Sequence, residues 1–176
     1  MAELAELAAA CAATLAQGGQ VIFFGNGGSA AQAEHLAAEL VGRYAQPGRR
    51  ALAARALSGS GALLTALGND YGFQAVFARQ VEGMARRGDV LIGLSTSGRS
   101  PNVRKALEVG RRMGCVTSLW TGDHEMSGET PPVEHLIRVS SRETPMIQEM
   151  HLVLGHLLCQ SIEEDSPWGE GVAVVP

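Results

Sequence analysis

Residues 21–42 read VIFFGNGGSAAQAEHLAAELVG and predict a strand, a tight turn and a helix in succession. Val21 to Phe24 is a short apolar run of strand type, Gly25 to Gly28 is a glycine-rich turn, and the alanine- and leucine-rich residues from Ser29 onward have helical spacing. Glycines let the backbone of a turn come close to a ligand, and the free amides at a helix N-terminus favour an anion. The stretch therefore predicts a phosphate-binding arrangement.

Two helices carry polar residues that could meet. His35 and Glu39 are four residues apart in the predicted helix and share one face of it. A second helix, predicted from Thr144 to Glu164, places Gln148 and His156 on one face that should be buried. Buried polar side chains need partners, so these residues are either satisfied core residues or, taken together, a four-ligand metal site of nitrogen and oxygen donors.

A second informative loop follows a predicted buried strand, Asp89 to Leu94. Residues 95–100 read STSGRS and lead into Pro101, which suits the first turn of a helix that has Ser100 as its N-cap. The loop could be a capped helix start alone. Hydroxyls at four of its six positions, with no carboxylate among them, favour a phosphate clasp.

The remaining pattern alternates strands with helices. This alternation predicts a parallel sheet with helices on both faces and ligands at the carboxyl ends of the strands. The chain of 176 residues is most simply one domain. The other predicted elements are a helix Ala2 to Gln17, a weak strand Ala51 to Leu57, a short helix to Leu67, a turn at 68–72, a helix Phe73 to Ala85, a helix Pro101 to Met113, and strands Cys115 to Trp120 and Leu136 to Val139.

Composition limits the partners and the location. The net charge of −4 and the absence of any basic cluster longer than a pair argue against nucleic acid. No apolar run approaches the roughly 20 residues of a membrane span, and the first arginine is Arg43, so no basic flank of a signal peptide is present. We expect a cytoplasmic protein that does not bind a membrane.

Several single residues carry weaker expectations. The three cysteines are odd in number and widely spaced, which predicts buried free thiols at Cys11, Cys115 and Cys159. His124 and His135 lie in and beside a polar loop and should be exposed. Glu149 and His151 lie off the polar face of the last helix and should support the site or lie at the surface.

A dinucleotide site is the competing interpretation of the first loop. Gly25, Gly27 and Ala30 satisfy the G-x-G-x-x-A version of the dinucleotide fingerprint. That site also expects an acidic residue about 20 positions further on, to hold the ribose. Residues 43–55 contain no Asp or Glu, so the sequence disfavours a dinucleotide.

Four segments together resemble one enzyme family. GNGGSAAQAEHLAAELVGRY, LTALGNDYGFQAVFARQVE, GDVLIGLSTSGRSPNV and PMIQEMHLVLGHLLC are similar to the corresponding segments of phosphoheptose isomerases. These sugar-isomerase (SIS) domain enzymes convert D-sedoheptulose 7-phosphate to D-glycero-D-manno-heptose 7-phosphate for heptose biosynthesis. The resemblance covers roughly residues 20–164. It implies one SIS domain at residues 1–165 with a C-terminal tail at 166–176, folded as a flavodoxin-like three-layer α/β sandwich with a central parallel sheet of about five strands.

The resemblance also implies a site and an assembly. It implies a homotetramer with sites between subunits and one zinc ion per subunit. The zinc ligands it implies are His35, Glu39, Gln148 and His156. The substrate-binding residues it implies are Asn26, Gly27, Gly28, Ser29, Asp70, Ser95, Thr96, Ser97, Ser100 and Gln148. The chain departs from the family in its shorter N-terminal helix and in Pro145, where some members have an acidic residue.

Aldose-ketose isomerisation moves a proton between C1 and C2 through an enediol. We expect Glu39 to take the proton and His156 to return one, while zinc polarises the sugar oxygens. A zinc-bound histidine is not a free acid, so His156 is a ligand, an acid/base or both. Schiff-base chemistry is disfavoured because Lys105 is the only lysine and lies beside Arg104.

Two alternative functions stay open at this point. The first is a non-catalytic SIS-domain binding or regulatory protein, which the presence of both Glu39 and His156 disfavours. The second is an SIS isomerase of another sugar phosphate, which metal dependence would distinguish. The choice of zinc over another divalent ion rests on the resemblance, since His, Glu and Gln suit several metals.

Overall fold

The computed structural model describes residues 1–124, 132–165, 168, 169 and 171. Five parallel strands form one sheet in the order β2-β1-β3-β4-β5. This order is the flavodoxin-like one, and it confirms the predicted three-layer sandwich. The strands are β1 (Val21–Gly25), β2 (Ala54–Ala56), β3 (Val90–Leu94), β4 (Val116–Thr121) and β5 (His135–Arg138). The helices of the described residues are α1 (Ala2–Ala16), α2 (Gly28–Val41), α3 (Gly61–Tyr71), α4 (Val76–Met84), α5 (Pro101–Met113) and α6 (Thr144–Glu164), with a 3-10 turn at Phe73–Ala75.

The sheet separates two apolar cores. All five residues of β1 are buried, as expected of a strand covered on both faces. Phe23 packs into the core formed with α1, α2 and α6, whereas Phe24 packs on the opposite face with α4 and α5. Helices α2 and α6, which carry the predicted metal ligands, therefore lie on the same side of the sheet.

The prediction of a turn at residues 68–72 is wrong for all of these residues except the last. Helix α3 continues through Gly68 to Tyr71. The Ser60 hydroxyl accepts a hydrogen bond from Leu63 N at 3.2 Å and caps the helix start. A glycine in a helix costs only about 1 kcal/mol, which is not enough to end a capped helix. The helix ends instead at Gly72, whose φ of +77° is favoured only for glycine.

The cysteine prediction is confirmed, and the prediction for His135 is wrong. Cys11, Cys115 and Cys159 are buried free thiols. The His135 side chain is only 14% exposed, and its Nδ1 lies 3.1 Å from Glu3 Oε1. His124 is half-buried. Part of the predicted loop between β4 and β5 and most of the tail at 166–176 lie outside the described residues.

Within the described part of the chain, no helix combines the length and the apolar character that a membrane span requires.

Candidate active site at the carboxyl edge of the sheet

The two predicted phosphate loops begin at the same edge of the sheet. Strands β1 and β3 are neighbours, with Gly25 paired to Leu94 in register. A Cβ atom on Gly25 would lie 2.8 Å from Leu94 O and 2.8 Å from Ser29 Cβ, so glycine is required where strand, turn and helix converge. Ser29 is buried in the first turn of α2, where its backbone N–H donates to Asn26 O. The fold therefore places the glycine turn beside the serine-rich loop.

The glycine turn also meets the last helix. Gly27 precedes α2 with a φ of +57°, a conformation that favours glycine. A Cβ atom on Gly28 would lie 2.6 Å from Gln148 Nε2 and 2.9 Å from its Oε1. The Gln148 amide thus packs directly on the N-terminus of α2. Gln32, one turn further along, donates from Nε2 to the backbone oxygen of Gln148.

His35 and His156 meet across the interface of α2 and α6. Their Nε2 atoms are 2.8 Å apart, which is a hydrogen bond when one ring carries its proton on that nitrogen. Glu39 Oε1 lies 3.5 Å from the same His35 nitrogen. The side chains of His35 and Glu39 are 42% and 23% exposed, so they remain accessible to a ligand.

A glycine brings these two histidines together. Gly155 precedes His156, and a Cβ atom on it would lie 2.4 Å from Leu36 Cδ2. Leu36 follows His35 and is fully buried. Because Gly155 has no side chain, α6 can approach α2 closely enough for the neighbouring histidines to touch.

The serine-rich loop is held by internal bonds. Ser95 Oγ lies 2.9 Å from Ser100 Oγ, and Ser95 N donates to Trp120 O. Ser100 is the N-cap residue of α5, as predicted, but its side chain makes no capping bond and pairs with Ser95. Ser97 Oγ accepts from Arg99 N at 3.2 Å, and Thr96 O accepts from Gly122 N at 2.9 Å. These bonds give the loop a defined shape beside β4.

The two loops are joined by a residue that the sequence analysis missed. Asn26 follows β1, and Asn102 is the second residue of α5. Their amides exchange two hydrogen bonds of 2.9 and 2.8 Å. The signal in the sequence was a polar residue directly after Pro101, at a helix position that α5 buries; Asn102 is 2% exposed.

Asp70 lies apart from these contacts. It is exposed near the end of α3, and the hydrogen bond described for its side chain comes from the adjacent Asn69. Within one described chain, Asp70 is thus not brought into contact with either group of site residues, and its place near the sugar stays a prediction.

The structure contradicts the expectation of a surface position for His151. Its side chain is fully buried, with its ring 5.9 Å from that of Trp120, whereas Glu149 is exposed. Neither ring nitrogen has a hydrogen-bond partner among the described residues. Burial lowers the pKa of His151 to about 4, and the nearby backbone of Thr121 opposes this shift only in part. The periodicity of α6 could have shown this, since His151 is four residues from Gly155 and faces the sheet.

Comparison with known proteins gives the family. The sequence model of the SIS domain matches residues 1–119. A phosphoheptose isomerase of Akkermansia muciniphila is 49% identical over 164 residues, covering 93% of this chain and 85% of the relative. This chain belongs to the phosphoheptose isomerase family of SIS domain proteins. A phosphoheptose isomerase of Nitratiruptor sp. is 51% identical over 155 residues, covering 88% of this chain and 81% of the relative.

A solved structure agrees with membership of the phosphoheptose isomerase family. The phosphoheptose isomerase of Neisseria gonorrhoeae superposes with a TM-score of 0.82 at 38% identity, covering 93% of this chain and 86% of that one. The structural similarity therefore extends over most of the chain. The chain is an isomerase.

The predicted zinc site can be compared with the donor atoms that the structure brings together. His35, Glu39 and His156 supply two imidazole nitrogens and a carboxylate, the donor types of catalytic zinc sites. Both Glu39 and His156 approach the same nitrogen of His35. The residues therefore fit zinc in donor chemistry, and Gln148 could add an amide oxygen from the same helix as His156.

A second group of ligand-type residues lies elsewhere. Among the described residues, Glu3, Glu6 and His135 form the group of three that can place one ligand atom each within 4.8 Å of one another. These residues come from α1 and β5, away from the glycine turn, and exposed acidic groups often cluster without a metal. Zinc binding by the group at His35 and zinc binding by the group at His135 are therefore separate predictions.

Proposed function

We propose that this isomerase converts D-sedoheptulose 7-phosphate to D-glycero-D-manno-heptose 7-phosphate for heptose biosynthesis. The observation that carries the proposal is 49% identity, over 93% of the chain, to a protein named phosphoheptose isomerase. The contact between His35 and His156 beside two loops of phosphate-binding type supports it, because the proposed reaction needs acid/base groups close to a held phosphate.

The loops at the carboxyl edge of the sheet would hold the substrate. Thr96 and Ser97 are half-buried, and the hydroxyls of Ser95 and Ser100 form a bonded pair in the same loop. Together these hydroxyls would donate hydrogen bonds to the sugar phosphate, aided by the N-terminus of α5. Asn26, Gly27, Gly28 and Ser29 would line the sugar chain.

Side chains of α2 and α6 would then transfer the protons. Glu39 takes a proton from C1 of the ketose, a proton moves from O1 to O2 through the enediol, and a proton returned to C2 completes the aldose. His156 lies across the interface and is the group proposed to return that proton. His35, Glu39, Gln148 and His156 would hold a zinc ion, which would supply Lewis-acid polarisation of the sugar oxygens.

The reaction can be followed by NMR in deuterated water. Purified protein is incubated with sedoheptulose 7-phosphate, with and without a zinc chelator. We expect heptose 7-phosphate with deuterium at C2, and we expect chelation to stop its formation. A folded protein that shows no turnover at any zinc loading would contradict the proposal.

We also propose a cytoplasmic homotetramer. An apolar stripe on α6 supports self-association, because its members are exposed and spaced at helical intervals. They are Met146, Met150, Val153 and Leu157, which are 48%, 40%, 49% and 36% exposed. The same helix carries Gln148 and His156, so assembly through this stripe would lie next to the site. Light scattering after size-exclusion chromatography measures the mass of the assembly. A monomer at micromolar concentration would contradict the proposed tetramer.

A further inference from the structure

The carboxylate of Glu163 is buried near the end of α6 and binds a single segment of chain. Its side chain is 1% exposed. Oε1 accepts from Tyr44 N at 2.8 Å and from Arg49 Nε at 2.6 Å, and Oε2 accepts from the backbone amides of Ala45 and Gln46 at 2.8 Å each. Burial alone would raise the pKa of Glu163, but these hydrogen bonds outweigh it and the pKa is lowered. The charged carboxylate therefore binds the loop that follows α2 through both of its oxygens.

Arg49 connects the same carboxylate to α2. Its guanidinium is 3% exposed, and its Nη2 donates to the backbone oxygen of Glu39 at 2.8 Å. The oxygen of Glu39 is one of the last four carbonyls of α2, which lack partners inside the helix. Arg49 thus fixes the last turn of α2, the turn that carries the proposed base.

Tyr44 connects the network to His156. The two ring centroids are 5.5 Å apart at an angle of 33°. Glu163 lies seven residues after His156, so both face the same side of α6. By binding the amide of Tyr44, Glu163 places an aromatic ring against the histidine two turns away.

We infer that Glu163, Arg49 and Tyr44 are positioning residues that hold Glu39 and His156, on two different helices, at the spacing needed for metal binding and proton transfer. This inference rests on the proposed function. A buried ion pair adds little net stability when compared with apolar residues of similar size, whereas its fixed geometry can specify a unique arrangement. Groups that orient metal ligands typically change metal affinity or activity by about 10- to 100-fold when removed.

The first test is the pair of variants Glu163→Gln and Glu82→Gln. Both remove a carboxylate that is bonded to an arginine, but the Arg79–Glu82 pair is exposed and lies on α4. Zinc affinity is measured by competition with a chromophoric chelator, and kcat and KM are measured with sedoheptulose 7-phosphate. We expect Glu163→Gln to lose roughly 10-fold or more in zinc affinity and in kcat with little change in KM, and Glu82→Gln to match the parent. A folded Glu163→Gln protein with parental zinc affinity and kcat would overturn the inference.

The second test keeps the buried ion pair intact and changes only the aromatic ring. Tyr44→Ala removes the ring but retains the backbone amide that Glu163 binds. We expect weaker zinc binding and shifted imidazole signals of His156 in metal-free protein by NMR, and Tyr44→Phe should restore both. Unchanged His156 signals and zinc affinity in Tyr44→Ala would overturn the role of the ring. Because the NMR signals need neither substrate nor metal, failure of the proposed reaction is distinguishable from failure of this inference.

Discussion

Asn26 and Asn102 bind each other through both of their side-chain amides. Nδ2 of Asn26 donates to Oδ1 of Asn102 at 2.9 Å, and Nδ2 of Asn102 donates to Oδ1 of Asn26 at 2.8 Å. Asn102 Oδ1 also accepts from Val103 N at 3.0 Å. This reciprocal pair fixes the glycine turn after β1 relative to the start of α5, the two elements proposed to hold the sugar and its phosphate.

Asn102→Ala should destabilise the protein and weaken substrate binding. The substitution leaves the amide of Asn26 without its partner, and an unpaired polar group of this kind costs about 1–3 kcal/mol. KM should rise because the two loops lose their connection. Urea unfolding and steady-state kinetics measure these effects. Asn69→Ala, at an exposed amide that bonds only its neighbour Asp70 in the described chain, is the stability control and should cost less than about 0.5 kcal/mol.

Glu39→Gln should abolish turnover and leave a folded protein. The amide keeps the size of the carboxylate but cannot accept the proton from C1. Exchange of the C1 proton with deuterated water, followed by NMR, measures the step directly. Glu34→Gln, at an exposed position of the same helix, should retain activity. Exchange at a parental rate in Glu39→Gln would rule out Glu39 as the base.

Comparison of His35→Ala with His135→Ala should show which of the two groups of ligand-type residues binds zinc. If the metal binds between α2 and α6, His35→Ala should weaken zinc binding by more than the roughly 10- to 100-fold cost of losing an outer partner. His135→Ala should leave zinc affinity unchanged, because His135 belongs to the group with Glu3 and Glu6. Calorimetric titration of zinc measures both. The reverse pattern would place the metal site at α1 and β5.

The fold was predictable because its patterns are local. The apolar run at Val21–Phe24, the glycines after it and the helical spacing beyond them act within one segment, and β1 and α2 form there. The error at residues 68–72 is local as well, because composition suggested a turn where the cap at Ser60 and the positive φ of Gly72 set the helix limits.

The site was predictable only in part, because its remaining contacts join distant segments. His35 and Glu39 share a helix face, and spacing reveals this. The amide pair of Asn26 and Asn102 spans 76 residues, and the bonds from Glu163 to the loop after α2 span more than 100. Contacts of this range follow from packing of the sheet and helices, which no spacing within one segment encodes.

His151→Leu should flatten the pH dependence of stability in mildly acidic solution. In the unfolded chain this histidine binds a proton below pH 6.5, whereas in the folded protein burial lowers its pKa to about 4. Between these values the unfolded state holds more protons, so the free energy of unfolding falls as the pH falls. The shift corresponds to a difference on the order of 3 kcal/mol.

Urea unfolding of parent and His151→Leu at several pH values from 4 to 7 measures this difference. A chelator is present throughout, so that release of metal does not contribute. The parent should lose stability toward pH 4 more steeply than the variant, while His124→Gln, at a half-buried histidine, should follow the parent. Equal slopes in parent and His151→Leu would mean that the His151 ring is protonated as readily in the folded as in the unfolded chain. That result would contradict the prediction that His151 stays neutral beside Trp120.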